Sequence, residues 1–339
     1  MNADLLFMNN KAMEETGVLN MRAAIDDVKN VYMLDHKGDV INPGKCVLRW
    51  GKTVDDENML GRINAMPGYV GGEYGLAGIK WIGSGPQNYK KGLPRASVTV
   101  ILNDPDTKLP VAVCDGTEIS TMRTGASGGV AIELLAKCGA RVMTICGAGA
   151  QAPKQLEASL ISKPTIDTLY IYDIIPENAE RFKKKVNETY PAINAIVAKT
   201  AEEATRNSDI IDCVTLASEP FIKGEWLRPG ALVMNMADYD VDRECVRRSS
   251  KIVVDYWENV KHRMISTVAL MWRDGEIKDS DIHAETGEIL CGKKHGREND
   301  DEIIYFNAVG AGIMDIAVAT RCFREAQKIG KGISLPYWE

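Results

Sequence analysis

The chain is poor in histidine and in aromatic side chains, and it has no paired-cysteine motif. His36, His262, His283 and His295 are its four histidines, and none lies at metal-ligand spacing to another. That spacing argues against a structural zinc, and no nucleophilic triad suggests itself. No metal is expected. The eight cysteines form no C-x-x-C pair, and several sit in apolar runs such as "RVMTICG" and "IIDCVTLA". The expectation is buried free thiols in a reducing, cytoplasmic setting. No apolar run reaches the ~18–20 residues needed to span a bilayer. The opening "MNADLLFMNNKAMEE" has neither a basic start nor a sustained apolar core, so no secretory leader is expected in it. Positive charge is in deficit, 41 Lys and Arg against 47 Asp and Glu, net −6. A surface built for nucleic acid or an anionic membrane is therefore not expected.

What is present suits an α/β protein: 45% hydrophobic and 26% charged residues. At 339 residues the chain is long for one core, so two domains are expected. From residue 141 the pattern alternates between strand and helix. "ARVMTIC" reads as a strand, "APKQLEASLI" as a helix, and "TLYIYD" (168–173) as a strand again. "PENAERFKKKVNETY", "AINAIVA", "AEEATRNS" and "DIIDCVTLA" (209–217) continue the series, followed by three more apolar runs. Such alternation implies a parallel, doubly wound sheet. The earlier residues differ. "RASVTVILND" and "LPVAVCDG", joined by "PDTK", read as an antiparallel hairpin. "EISTMRTGASGGVAIELLAK" and the late "GIMDIAVATRCFREAQKIG" read as long helices, the second returning to pack on the first domain. The expected architecture is a dinucleotide-binding α/β domain at 121–312 inserted in an α+β domain made of 1–120 plus 313–339.

"GAGAQA" supplies Gly147, Gly149 and Ala152 in a G-x-G-x-x-A pattern after a strand and before a helix. The first glycine permits the tight turn, the second lets a pyrophosphate approach the backbone, and the third small residue lets the helix pack on the strand. The phosphates then meet free N–H groups and the positive end of a helix. Asp173 closes the next strand, where a carboxylate accepts from the ribose hydroxyls of an adenosine. A 2′-phosphate beside it would be repelled, and "DIIPEN" offers no arginine. The expected cofactor is NAD.

Three cations stand in apolar or small-residue surroundings: Arg49 in "VLRWG", Lys80 in "AGIKWIGS" and Arg123 in "STMRTGASGG". An unpaired charge there would be costly, so each either pairs with a carboxylate, snorkels to the surface or serves a site. The Thr, Gly, Ala and Ser after Arg123 would let a helix approach a cofactor closely. Trp81, next to Lys80, is a candidate wall for a substrate pocket.

"MRTGAS", "GIKWIGS", "GAGAQA" and "VGAGIMDIA" together resemble the ornithine cyclodeaminase/mu-crystallin family over nearly the whole chain. The resemblance implies a Rossmann domain, a substrate domain that also forms a homodimer, and an active site between them. It implies that Arg49, Lys80 and Arg123 grip the α-carboxylate of an amino-acid substrate, with Asn64 nearby and Lys80 also acting on the group at Cα. Guanidinium binds carboxylate in bidentate fashion, and the ammonium adds a point charge. It further implies cofactor contacts from Thr124, Gly147, Gly149, Ala150, Gln151, Ala152, Asp173, Thr215, Val309 and Gly310. Asp238 would take the proton of a substrate's terminal ammonium, and Asp240 lies close enough to compete for that role.

Departures blur the substrate. Asp240-Val241-Asp242 replaces the family's Pro-Gly-Lys, Ala308 stands where a serine is usual, and Asn64 where some ornithine enzymes carry glutamate. "RINAMPGYVGGEYGLAGIKWIGS" and the 296–304 run resemble instead the diaminopropionate-pathway dehydrogenase branch, which oxidises a secondary amine. The leading expectation is a redox-neutral cyclodeaminase taking ornithine to proline. A secondary-amine amino-acid dehydrogenase, a cyclic-imine reductase and a non-catalytic NAD binder of the mu-crystallin kind stay open beside it.

Overall fold

The computed structural model describes residues 3–53, 56–236 and 238–338. The chain folds as two compact units, Met1–Arg123 with Ala311–Glu339, and Thr124–Gly310. In chain order the strands are β1 (Ala3–Met8), β2 (Val40–Ile41), β3 (Cys46–Leu48), β4 (Arg62–Val70), β5 (Leu76–Ser84), β6 (Ala96–Asn103) and β7 (Pro110–Asp115). There follow β8 (Val142–Cys146), β9 (Thr168–Tyr172), β10 (Asn194–Val197), β11 (Ile210–Cys213) and β12 (Leu232–Asn235). The last are β13 (Lys251–Val254), β14 (Ala284–Glu285), β15 (Ile304–Asn307) and β16 (Ile333–Trp338).

The first unit is a mixed sheet in the order β16-β1-β7-β6-β5-β4-β2, with β3 on β4. The expected hairpin is present: β6 and β7 pair antiparallel. Its turn is closed by Asp104, whose Oδ1 accepts from the Thr107 N–H at 2.7 Å and the Asp106 N–H at 3.1 Å. The helix Gly312–Ile329 lies across β4 and β5. Two strand glycines make room for it. A Cβ at Gly68 would stand 2.5 Å from Cγ2 of Ile313, and one at Gly78 would stand 3.3 Å from Cγ1 of Ile316. Glycine weakens a strand but lets another element lean on the sheet.

The second unit is a parallel sheet in the order β10-β9-β8-β11-β12-β15-β13-β14. Alternate residues of its strands feed two cores, one per face. Met143 and Ile145 enter one core and Cys146 the other, as period-two side chains must. From β8 the chain winds one way to β9 and β10, then returns to the other side of β8 as β11 and β12. That reversal is the topological switch point of a doubly wound sheet, and ligands bind outside the carboxyl ends of the strands there. The expected strand at 209–217 is shorter, Ile210–Cys213. Its last residues leave the sheet and form part of that carboxyl edge.

Cys114, Cys146, Cys213, Cys245 and Cys322 are buried free thiols, while Cys46 and Cys138 are exposed. Among the described residues no helix is long and apolar enough to cross a membrane.

Candidate active site

In the first unit, β5 presents Lys80 to the helix-covered side of the sheet, opposite Met66 on β4 and Val100 on β6. The helix Gly312–Ile329 comes close enough to meet it because Gly312 has no side chain: a Cβ there would stand 2.6 Å from the Met66 carbonyl oxygen. One turn further on, Asp315 reaches the lysine. Lys80 Nζ lies 2.8 Å from Asp315 Oδ1 and donates to Ser120 Oγ at 2.8 Å. Arg123 Nε lies 3.2 Å from Asp315 Oδ2. All three charged side chains are withdrawn from water. Two cations and one anion leave a net positive charge, which suits a carboxylate ligand. Burial, helped by the Arg123 charge, pushes Lys80 down to about 8 against the opposing pull of Asp315. A lysine so tuned can exchange a proton near neutral pH.

The structure therefore brings Lys80 and Arg123 together on Asp315, a residue that lies within the motif "VGAGIMDIA" but was given no role from sequence. Asp315 was legible as a lone acid in the apolar run "GIMDIAVA", but its partners are distant in sequence. Arg49, one residue beyond β3, is exposed. Asn64 is half-buried on β4, and its Oδ1 has no hydrogen-bond partner among the described residues. Its register partner Ile82 lies two residues from Lys80, so the amide shares the lysine's face of the sheet. Trp81 does not wall the lysine's surroundings: adjacent strand residues face opposite sides, and Trp81 is 40% exposed.

In the second unit the glycine turn follows β8 directly. Gly147 adopts φ +96°, and a Cβ there would meet Thr215 Cγ2 and the Val214 carbonyl oxygen at 3.0 Å. At Gly149 a Cβ would meet nothing within 4 Å, so this stretch of turn borders open space. Ala150 is exposed and Ala152 buried, the latter opening the helix Ala152–Ser162. Gln151 caps that helix with no side-chain hydrogen bond, and its Oε1 is buried without a partner among the described residues. Asp173 follows β9, its Oδ2 accepting from the Ala148 N–H at 2.8 Å and its Oδ1 from the Ile175 N–H at 2.8 Å. Open space over a tight turn, an uncapped helix start and a fixed carboxylate after the next strand fit a dinucleotide.

The small residues after Arg123 let two helices approach closely. A Cβ at Gly125 would stand 2.6 Å from the Lys154 carbonyl oxygen, and one at Gly129 3.1 Å from the Ala158 Cβ. They let the helix Thr117–Leu135 pack on Ala152–Ser162. Thr124 is half-buried there, and its carbonyl accepts from Gln155 Nε2 at 3.2 Å.

The acids beyond β12 divide sharply. Asp238 is committed to an ion pair, its Oδ1 2.6 Å from Arg263 Nη2, with both side chains largely buried. Asp240 is buried between Thr215 and Asn235. Burial pushes its carboxyl up to about 6. Asp255, also buried, accepts on Oδ2 from the N–H groups of Val309 at 2.9 Å and Gly310 at 2.6 Å. It thereby ties the turn after β15, where Gly310 adopts φ +72°, to the end of β13. Arg263 and Asp255 carried no sequence signal beyond their charge.

A doubly wound parallel sheet with a glycine turn at its switch point defines the second unit as a Rossmann-type dinucleotide fold, while the first unit carries a buried pair of cations. A model of the ornithine cyclodeaminase/mu-crystallin family matches residues 7–329. The N-((2S)-2-amino-2-carboxyethyl)-L-glutamate dehydrogenase of Staphylococcus aureus (strain NCTC 8325 / PS 47) is 34% identical over 336 residues, 99% of each chain. An archaeal alanine dehydrogenase dimer with bound NAD has TM-score 0.88 at 32% identity, covering 99% of this chain and 100% of the other. The Δ1-pyrroline-2-carboxylate reductase of Thermococcus litoralis, solved with NADH and L-proline, has TM-score 0.88 at 33% identity, covering 97% and 100%. The chain belongs to the ornithine cyclodeaminase/mu-crystallin family.

Proposed function

We propose that this protein is an NAD-dependent oxidoreductase acting at the amine-bearing Cα of an amino acid, and that it is a secondary-amine dehydrogenase rather than a cyclodeaminase. The observation that carries the choice is the Asp238–Arg263 pair. A cyclodeaminase would need Asp238 free to take the proton of a terminal ammonium, and that carboxylate is already engaged by the Arg263 guanidinium. Asn64 supports the same reading, since a neutral amide replaces the acid that some ornithine enzymes carry.

Lys80 and Arg123 hold the substrate α-carboxylate, and the 2.8 Å contact with Asp315 keeps the lysine from swinging away. Lys80, at about 8, exchanges the proton on the substrate nitrogen. Asn64 Oδ1 is an acceptor for an N–H of that nitrogen. In the second unit, Gly147, Gly149, Gln151 and the start of Ala152–Ser162 would hold the pyrophosphate of NAD, with Asp173 on the adenosine ribose. NAD, when bound, supplies the hydride acceptor. The likeness to NAD- and NADH-bound relatives supports this cofactor.

A homodimer belongs to the same reading. Phe7, Ile333, Leu335 and Tyr337 leave an open apolar strip along β1 and β16, and the related alanine dehydrogenase is a dimer. A solution mass of one chain would remove that part.

The test is incubation with NAD⁺ and a panel of amino acids that includes N-(2-amino-2-carboxyethyl)-glutamate, alanine, proline and ornithine. NADH formed in step with consumption of a secondary-amine substrate is the expected result. Proline and ammonia from ornithine with only catalytic NAD⁺ would establish the cyclodeaminase instead. Tight NADH binding with no turnover in either direction would leave a binder of the mu-crystallin kind.

A further inference from the structure

Thr215 lies two residues past the end of β11, beside the glycine turn. Its Oγ1 accepts from the Ala217 N–H at 3.0 Å and donates its hydrogen to Asp240 Oδ1. The other carboxylate oxygen, Oδ2, accepts from Asn235 Nδ2 at 2.9 Å. The orientation of that amide is fixed independently. Asn235 Oδ1 accepts from the Tyr305 hydroxyl at 2.9 Å, and Nδ2 also donates to the Asp238 carbonyl at 2.9 Å. Asp240 is thus met by a donor on each oxygen, the arrangement that an ionised carboxylate accepts. With its hydrogen spent on Asp240 and one lone pair on Ala217, Thr215 has a single lone pair left, able only to accept.

We propose that Asp240 is a positioning residue for the cofactor: it fixes the Thr215 hydroxyl as an acceptor for an N–H or O–H of the bound dinucleotide. This rests on the reading of the second unit as the NAD-binding one. The charged and titratable groups around Asp240 are the Asp238 and Asp212 carboxyls, Tyr305 and Cys213. Among the described residues no cation pairs with Asp240. Burial and the Asp238 charge raise its carboxyl to about 6, against the lowering effect of the Thr215 and Asn235 hydrogen bonds. Once protonated on Oδ1, Asp240 donates to Thr215 instead of accepting from it. The Thr215 hydrogen is then released from Asp240, and the hydroxyl is no longer fixed as an acceptor.

The test is titration of NADH fluorescence with the full-length protein at pH values on both sides of about 6. Native protein should lose about tenfold in affinity as the pH falls through that value, the usual effect of one lost hydrogen bond to a charged group. Asp240→Asn places an amide N–H₂ against one of the two donors and should bind NADH about tenfold more weakly at neutral pH, with a flat profile. Thr215→Val keeps the buried carboxylate, removes the hydroxyl, and should likewise be weak and flat; it carries the test if Asp240→Asn does not fold. A step that persists in the variants, or a variant that matches native affinity at neutral pH, overturns the proposal. Native protein that binds no NADH at any pH overturns the cofactor reading and this inference with it.

Discussion

Lys80 and Asp315 form an ion pair at 2.8 Å with side-chain exposures of 2% and 0%, and Arg123 shares the same carboxylate. Removing the acid strands two cations in a dry site, so Asp315→Asn should shift the lysine, not merely loosen it. Asp315 is what raises the Lys80 value against burial and Arg123. The limb of the kcat/KM profile that reports Lys80 should lie near pH 8 in native protein and at lower pH in Asp315→Asn. Lys80→Met should lose that limb and roughly a hundred- to ten-thousand-fold in kcat. Stability follows the same group. Its folded value is below the ordinary 10.5, so between about 8 and 10.5 the unfolded chain binds more protons and this contribution to stability grows with pH. A pH profile unchanged in Asp315→Asn would show that the acid does not govern the lysine.

Much of the second unit was readable because each of its strands is a short apolar run bounded by turn residues, and its glycine turn keeps fixed spacing. The first unit hid its longest strands. "RINAMPGYV" and "LAGIKWIGS" show neither clean alternation nor high β-propensity, because Gly68 and Gly78 are reserved for the helix carrying Ile313 and Ile316. The site was legible as a set of cations but not as an arrangement. Asp315 and Arg263 lie far in sequence from the groups they neutralise, and nothing local marks which acid will meet which base. The register of Trp81 was decidable by strand alternation once β5 was known, and not before.

Asp173 governs the choice between the two nicotinamide cofactors. Its carboxylate is held by the Ala148 and Ile175 N–H groups and is not free to swing aside for a 2′-phosphate. Ile174, beside it, is 84% exposed, so an arginine can replace it without disturbing the core. Asp173→Ser combined with Ile174→Arg should weaken NADH and strengthen NADPH, each by roughly tenfold or more, as a lost charge-assisted hydrogen bond and a gained phosphate contact imply. Fluorescence titration with both cofactors reads the effect. Native protein that already prefers NADPH would contradict the role given to Asp173.

Gly147 and Gly149 separate what the turn needs for folding from what it needs for binding. Gly147 sits at φ +96°, and its Cβ would press on Thr215 and Val214 at 3.0 Å. Gly147→Ala should cost about 1–3 kcal/mol in urea unfolding, from left-handed strain together with crowding. Gly149 has no such constraint, and its Cβ would enter open space. Gly149→Ala should leave stability within about 0.5 kcal/mol of native, as surface changes usually do. The new methyl would nevertheless occupy room that a pyrophosphate needs to reach the backbone, so NADH affinity should fall about tenfold or more. Native-like NADH binding by Gly149→Ala would mean that the phosphates do not lie over this turn, however well the strand, turn and helix match the pattern.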